Sequence, residues 1–182
     1  GDTSGAITIA APAVAGTNTI TLPAETGTIV TSTSAATNTP AFSVKLSANQ
    51  NISETTLTKV QYDTTEFDTD SAFDTSNYKF TVPAGKAGLY LFSSTARLDS
   101  GVNANLIIGQ LFLYKNGSGY KRSYDYFTTS DIRSYSAMVT ATLDLSVGDY
   151  IEMYGYINSV DNTGGTISSL TYTYFSGHKL IT

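Results

Sequence analysis

The sequence predicts an all-β sandwich, on three observations. From Phe42 to the end, short segments of alternating apolar and polar residues follow one another. Clusters of turn-forming residues, DSGVNA, KNGSG, SVGD and SVDNTGG, stand between the later ones. No segment sustains a helical period.

The expected strands run in order along residues 40–182. They are AFSVKLS (41–47), TKVQY (58–62), YKFTVP (78–83), GLYLFSSTARL (88–98), NLIIGQLFLYK (105–115), GYKRSYDYF (119–127), SYSAMVTATLDLS (134–146), DYIEMYGYIN (149–158) and SLTYTYFSGHKLI (169–181). Asn116-Gly117 is a strong hairpin signal. Alternation sorts the faces. Ala137, Val139, Ala141, Leu143 and Leu145 share one face, and so do Tyr90, Phe92, Ala96 and Leu98. Ile151, Met153 and Ile157 oppose Glu152, Tyr154 and Tyr156. One apolar face per strand is what a two-sheet sandwich requires. The opposite faces are rich in Tyr and Thr, the composition of a surface partly covered by another subunit. A chain of 143 residues suffices for one core, burying roughly 68–70% of the unfolded surface.

Composition narrows the chemistry. The chain has no Cys and one His, His178, so it builds neither a disulfide framework nor a His- or Cys-based metal cage within one copy. Charged residues are 14% of the chain and the net charge is −5, which argues against a nucleic-acid binder. No apolar run is long enough for membrane insertion. A chain that opens at Gly1 without a signal pattern reads as a piece of a longer product.

Residues 1–39 follow other rules. Their only charges are Asp2 and Glu25, and every one of the thirteen Tyr and eight Phe lies at or beyond Phe42. AITIAAP (6–12), NTITLP (18–23) and GTIVT (27–31) each read as a short strand. Three such strands cannot bury enough surface to offset their ordering. A disordered tail is the plain reading. Because such tails are poor in Ile and Val, a stem ordered by winding several copies together is preferred. TSTSAATNTP (31–40) reads as a linker into the head, 40–182.

Five landmarks then stand in order: Pro40-Ala41-Phe42-Ser43; Phe80-Thr81 and Pro83 before Gly88, Tyr90, Phe92 and Ser93; Asn116-Gly117; Leu145 with Gly148-Asp149; and Phe175-Ser176-Gly177 with Leu180. Residues 40–182 thereby resemble the C1q-like head of the C1q/TNF superfamily, with two extra residues in PAGKAGLY. The resemblance implies a ten-stranded jelly roll that assembles as a homotrimer, both chain ends at its base. Residues 4–31 resemble a short β repeat of tailed-bacteriophage structural proteins. Together the two resemblances imply the distal part of a tail fibre or other virion appendage, extracellular, tied to other virion proteins through the stem. The head would bind a host-surface glycan or protein. The alternative is a structural virion protein, a capsid-decorating or connector trimer without receptor role.

Candidate chemistry is sparse. Asp63, Glu66, Asp68, Asp70 and Asp74 do not fit a calcium loop: counted from Asp68, its glycine and final glutamate positions hold Phe73 and Lys79. A solvated acidic loop is expected. Lys115, Lys121, Arg122 and Arg133 read as scattered solvated cations, and His178 as structural. NIS (51–53) and NGS (116–118) match the glycosylation pattern without further support. Nothing marks a catalytic pair, so the chain is read as a non-enzyme, with a glycan-degrading activity as the weakest reading.

The topology implied by the resemblance places DSGVNA (99–104), TTSDIRS (128–134) and SVDNTGG (159–165) at the apex, and KNGSG at the base. The candidate receptor-binding residues are therefore Asp99, Asn103, Tyr126, Phe127, Asp131, Arg133, Asp161 and Asn162. Asp is a good loop residue in its own right. Threefold clustering of these carboxylates would also suit Ca²⁺ at a trimer apex or the hydroxyls of a sugar. No other cofactor is expected.

Overall fold

A computed structural model describes residues 38–128, 132–169 and 171–180. The expected stem strands and most of the linker lie outside the described residues. Within them the fold is all-β, two antiparallel sheets packed face to face.

The strands are β1 (Ala41–Lys45), β2 (Gln50–Ile52), β3 (Thr58–Lys59), β4 (Thr64–Asp68), β5 (Phe73–Asp74), β6 (Lys79–Thr81), β7 (Gly88–Asp99), β8 (Leu106–Lys115), β9 (Ser118–Tyr126), β10 (Ser134–Leu145), β11 (Tyr150–Ser159), β12 (Gly165–Ser168) and β13 (Tyr174–Lys179). One sheet has the order β2-β12-β7-β13-β1-β4, with β10 also on β7; the other is β5-β6-β11-β8-β9, with β3 on β11. All nine expected strands are present, several of them shorter. Four short ones, β2, β4, β5 and β12, were not expected. They lie where Thr, Ser, Asn and Asp outnumber apolar residues, and backbone pairing specifies them more than alternation does.

β4 corrects the acidic-loop expectation. Glu66 and Asp68 belong to a strand paired with β1. The Asp68 carboxylate accepts from the backbone N–H of Ala72 at 3.0 Å and Phe73 at 2.8 Å, closing the turn into β5.

Alternation decides the core. Tyr90, Phe92, Ala96 and Leu98 of β7 meet Leu111, Leu113, Ile151, Met153 and Ile157 of the other sheet, all buried. Phe42 stacks on Phe80 at 5.1 Å and meets Phe175 edge-on at 5.0 Å. Offset and edge contacts of this kind are favoured by the ring quadrupole. Gly177 lets this cluster close: a Cβ there would lie 2.9 Å from the Phe42 ring and also strike Phe92. Tyr154, Tyr156, Tyr172 and Tyr174 all lie outside the core, exposed or half-buried.

Pro40 and Leu180 sit at the same end. The Lys179 N–H donates to Pro40 O at 3.0 Å and the Leu180 N–H to Leu89 O at 2.8 Å. The Asn116-Gly117 turn is tied to β11 at that end, as the Asn116 N–H donates to Tyr150 O at 3.0 Å. Among the described residues there is no helix, and so none long and apolar enough to cross a membrane.

Candidate functional site

Antiparallel pairing of β7, β8, β9, β10 and β11 sends three connections to the end opposite Pro40. They follow β7, β9 and β11. Asn105, 3% exposed, joins them. Its carbonyl accepts the Val160 N–H at 2.8 Å and its side-chain oxygen the Asp161 N–H at 3.1 Å. Its amide donates to Ser100 O at 3.1 Å, and its own N–H donates to Ile132 O at 3.1 Å. One buried side chain thus satisfies backbone groups from two loops that no sheet pairing reaches.

Glu54 is a second anchor. Its carboxylate accepts the Ser159 N–H at 3.0 Å, the Ser159 hydroxyl at 2.7 Å and the Gly164 N–H at 3.1 Å. Sequence reasoning named neither Asn105 nor Glu54. A polar residue beside an apolar strand carries no signal of a partner 105 positions away.

The expected apical residues divide. The Asp99 carboxylate is 8% exposed by residue. It accepts the Arg133 Nε–H at 2.9 Å and the Gly101 N–H at 2.8 Å. Burial pushes the Asp99 carboxyl up, but Arg133, the Gly101 N–H and Arg97 outweigh it and leave the group below its usual value. Asp161 accepts the Thr163 N–H at 3.1 Å and hydroxyl at 2.8 Å, and the Thr163 hydroxyl foremost holds its carboxyl down. Asp161 therefore braces its own connection, and Asp99 ties its connection to the one after β9. Phe127 is half-buried, 5.4 Å edge-to-face from Tyr135, and packs against the core. Asn103 and Asn162 are exposed, the latter with φ 57°, and Tyr126 is 55% exposed. Asp131 lies outside the described residues. Among the described residues no three His, Asp or Glu side chains gather as a metal would need. Among the described residues the apex of one copy thus offers amides, a tyrosine ring and the exposed Val102 and Val160, not a free carboxylate cluster.

A family model, the C1q domain, matches residues 41–180. The chain belongs to the C1q domain family. Its C1q domain is similar in structure to the globular domain of zebrafish complement 1qA protein, with 19% identity, 78% of this chain and 98% of that one covered, and a TM-score of 0.56. Murine APRIL follows at 15% identity, 77% and 98% coverage and a TM-score of 0.54. The Eiger TNF of S. frugiperda has 14% identity, 78% and 90% coverage and a TM-score of 0.52. At such identities the likeness is one of fold. In sequence the chain is 29% identical over 105 residues to phage-like element PBSX protein XkdV of Bacillus subtilis (strain 168), covering 54% of this chain and 15% of that protein. It spans only a small part of that relative's length.

Proposed function

We propose that this C1q domain is the head of a bacteriophage tail fibre or similar virion appendage, and that it binds a host-surface receptor, a glycan, as a homotrimer. One observation carries the placement of the receptor end: three connections converge opposite Pro40 and Leu180, so chain N-terminal to the head joins it at the far end. The likeness to a phage-like element protein supports the virion setting.

The first sheet supports the trimer. Across its outer face Thr140, Ser93, Ser176 and Ser43 stand in one cross-strand row. Beside it Met138 is 60% and Phe67 52% exposed. A flat row of hydroxyls flanked by exposed apolar side chains can pack against a copy of the chain without burying charge. Three heads would multiply a weak single site.

The internal engagement of Asp99 and Asp161 favours a second reading, a structural virion trimer whose apex is only a brace. Labelled trimer on candidate host cells, read by flow cytometry, separates the two. Specific adsorption that excess unlabelled head displaces supports the receptor reading. Adsorption to no host of the virion supports the structural one.

A further inference from the structure

The outer face of the second sheet is unlike the rest of the surface. Arg122, Tyr124 and Tyr126 of β9 lie opposite Phe112, Gln110 and Ile108 of β8. Phe112 and Gln110 lie in turn opposite Tyr154 and Tyr156 of β11. The alternate residues Leu111 and Leu113 fill the core, so these rings face outward. Tyr120 and Tyr124 are each about half exposed, at 48% and 49%. Tyr114 and Tyr154 stand 4.6 Å apart. Beside them a groove of about 280 Å³ is lined by Phe112, Tyr114, Gly119, Tyr120, Lys121 and Arg122.

Charge adds to the same place. Most Lys and Arg side chains are in ion pairs. Among the described residues Lys79, Lys121, Arg122 and Lys179 are in none, and Lys121 and Arg122 are the two that line the groove. Their cations rest on rings instead: Arg122 at 5.8 Å from Phe112 and 5.5 Å from Tyr124, Lys121 at 5.5 Å from Tyr120. Stacking fixes a guanidinium yet leaves its N–H edge unused. A further sign is Gln110. It is 7% exposed, and its Oε1 has no hydrogen-bond partner. Buried acceptors without a partner are uncommon, and this one lies in the ring-covered part of the face.

We infer that this face binds an acidic saccharide, a chain of pyranose rings bearing carboxylates. The inference rests on the glycan reading above and names its ligand class and its place. The C–H face of a pyranose stacks on Tyr and Phe rings, and a carboxylate matches the forked edge of Arg122. Two free cations on a chain of net charge −5 suit a sparsely charged polymer better than a nucleic acid, which presents a phosphate at every step. With the trimer contact on the outer face of the first sheet, the proposal requires this face, on the opposite sheet, to stay open.

The test is calorimetric titration of the full chain with galacturonate oligosaccharides, their methyl esters, a neutral glucan and a single-stranded oligonucleotide. The acid form is expected to bind, more weakly as salt rises, with the ester at least about tenfold weaker. Arg122→Gln and Tyr124→Ala should each weaken it about tenfold, the scale of one charge-assisted contact. Gly119→Thr keeps every contacting side chain and fills the groove, since a Cβ there meets the Tyr114 ring at 3.6 Å; it should weaken binding too. Equal affinity for acid and ester overturns the inference, and so does tighter binding of the oligonucleotide. If acid binding survives these variants and falls with Asn103→Ala plus Asn162→Ala, the glycan reading stands and this site is wrong. If the head adsorbs to cells but binds no saccharide, both fall. Loss of the trimer in Arg122→Gln would make the face a subunit contact and overturn the proposal.

Discussion

Asn116 and Asp149, 33 residues apart, hold each other across the base of the sandwich. The Asn116 amide donates to Asp149 Oδ1 at 2.8 Å, and Asn116 Oδ1 accepts the Tyr150 N–H at 2.9 Å. Asp149 Oδ2 accepts the Ser146 N–H at 3.0 Å and lies 3.0 Å from Lys115 Nζ. The β8–β9 hairpin turn and the β10–β11 crossing between the sheets are thus one unit. Asn116→Ala is expected to lower stability by about 1–3 kcal/mol, the scale of two lost hydrogen bonds. Thermal or denaturant unfolding checks it.

The same pair predicts an acid response. The Asn116 amide, the Ser146 N–H and the Lys115 ammonium hold the Asp149 carboxyl down at about 2, from 3.8. A depressed folded-state value stabilises above the unfolded one, and the benefit is lost as pH falls from about 4 towards about 2. Asp149→Asn should flatten the dependence of melting temperature on pH in that window. An unchanged slope refutes the assignment.

Ser94 and Tyr62 predict an asymmetry. Tyr62 is 1% exposed; its hydroxyl lies 2.9 Å from Ser94 Oγ, which itself donates to Tyr174 O at 3.0 Å. Tyr62→Phe leaves Ser94 bonded, at an expected cost of about 1 kcal/mol or less. Ser94→Ala strands a buried phenol and should cost about 1–3 kcal/mol. Equal losses in matched melts would contradict this account.

Gly177→Ala should destabilise the head by about 1–3 kcal/mol or more, because the added methyl would press on the Phe42 and Phe92 rings. Compensation by Phe92→Leu in a double mutant is the informative measurement.

The trimer has its own test. Thr140→Arg would place a cation at one end of the hydroxyl row. Sedimentation should then show monomer where the unaltered chain shows trimer, with the far-ultraviolet circular dichroism of the head retained. A monomeric unaltered chain would remove the assembly reading altogether.

What the sequence showed of the fold was its long strands, because burial on one face writes alternation into residues such as Tyr90, Phe92, Ala137 and Val139. It also showed the turns whose backbone demands are local: Gly117 and Gly148 both have positive φ, 75° and 86°. β2 and β4 were hidden because half-exposed edge pairing leaves little apolar pattern, and β12 because four residues are too few to show a period. At the apex the loops were legible from topology, whereas the roles of Asp99, Asn105 and Glu54 were not. Their partners are distant in sequence, and an Asp in a turn looks the same whether it braces the chain or faces a ligand. The ring-lined face of β8, β9 and β11 appeared only once three strands stood side by side. Arg122, read as a scattered cation, was set there by register alone.

The apical connections are anchored at their roots, by Asn105, Glu54 and the Ser100–Arg133 backbone bond at 3.0 Å, while Gly101–Ala104 and Asn162–Thr163 carry the exposed tips. Folding and tip sequence are thereby separable demands on this chain. The head is a natural display scaffold: peptides grafted between Val102 and Asn103 would be presented side by side in every copy without entering the core. The same separation gives natural variation a place to accumulate while the anchors stay the same.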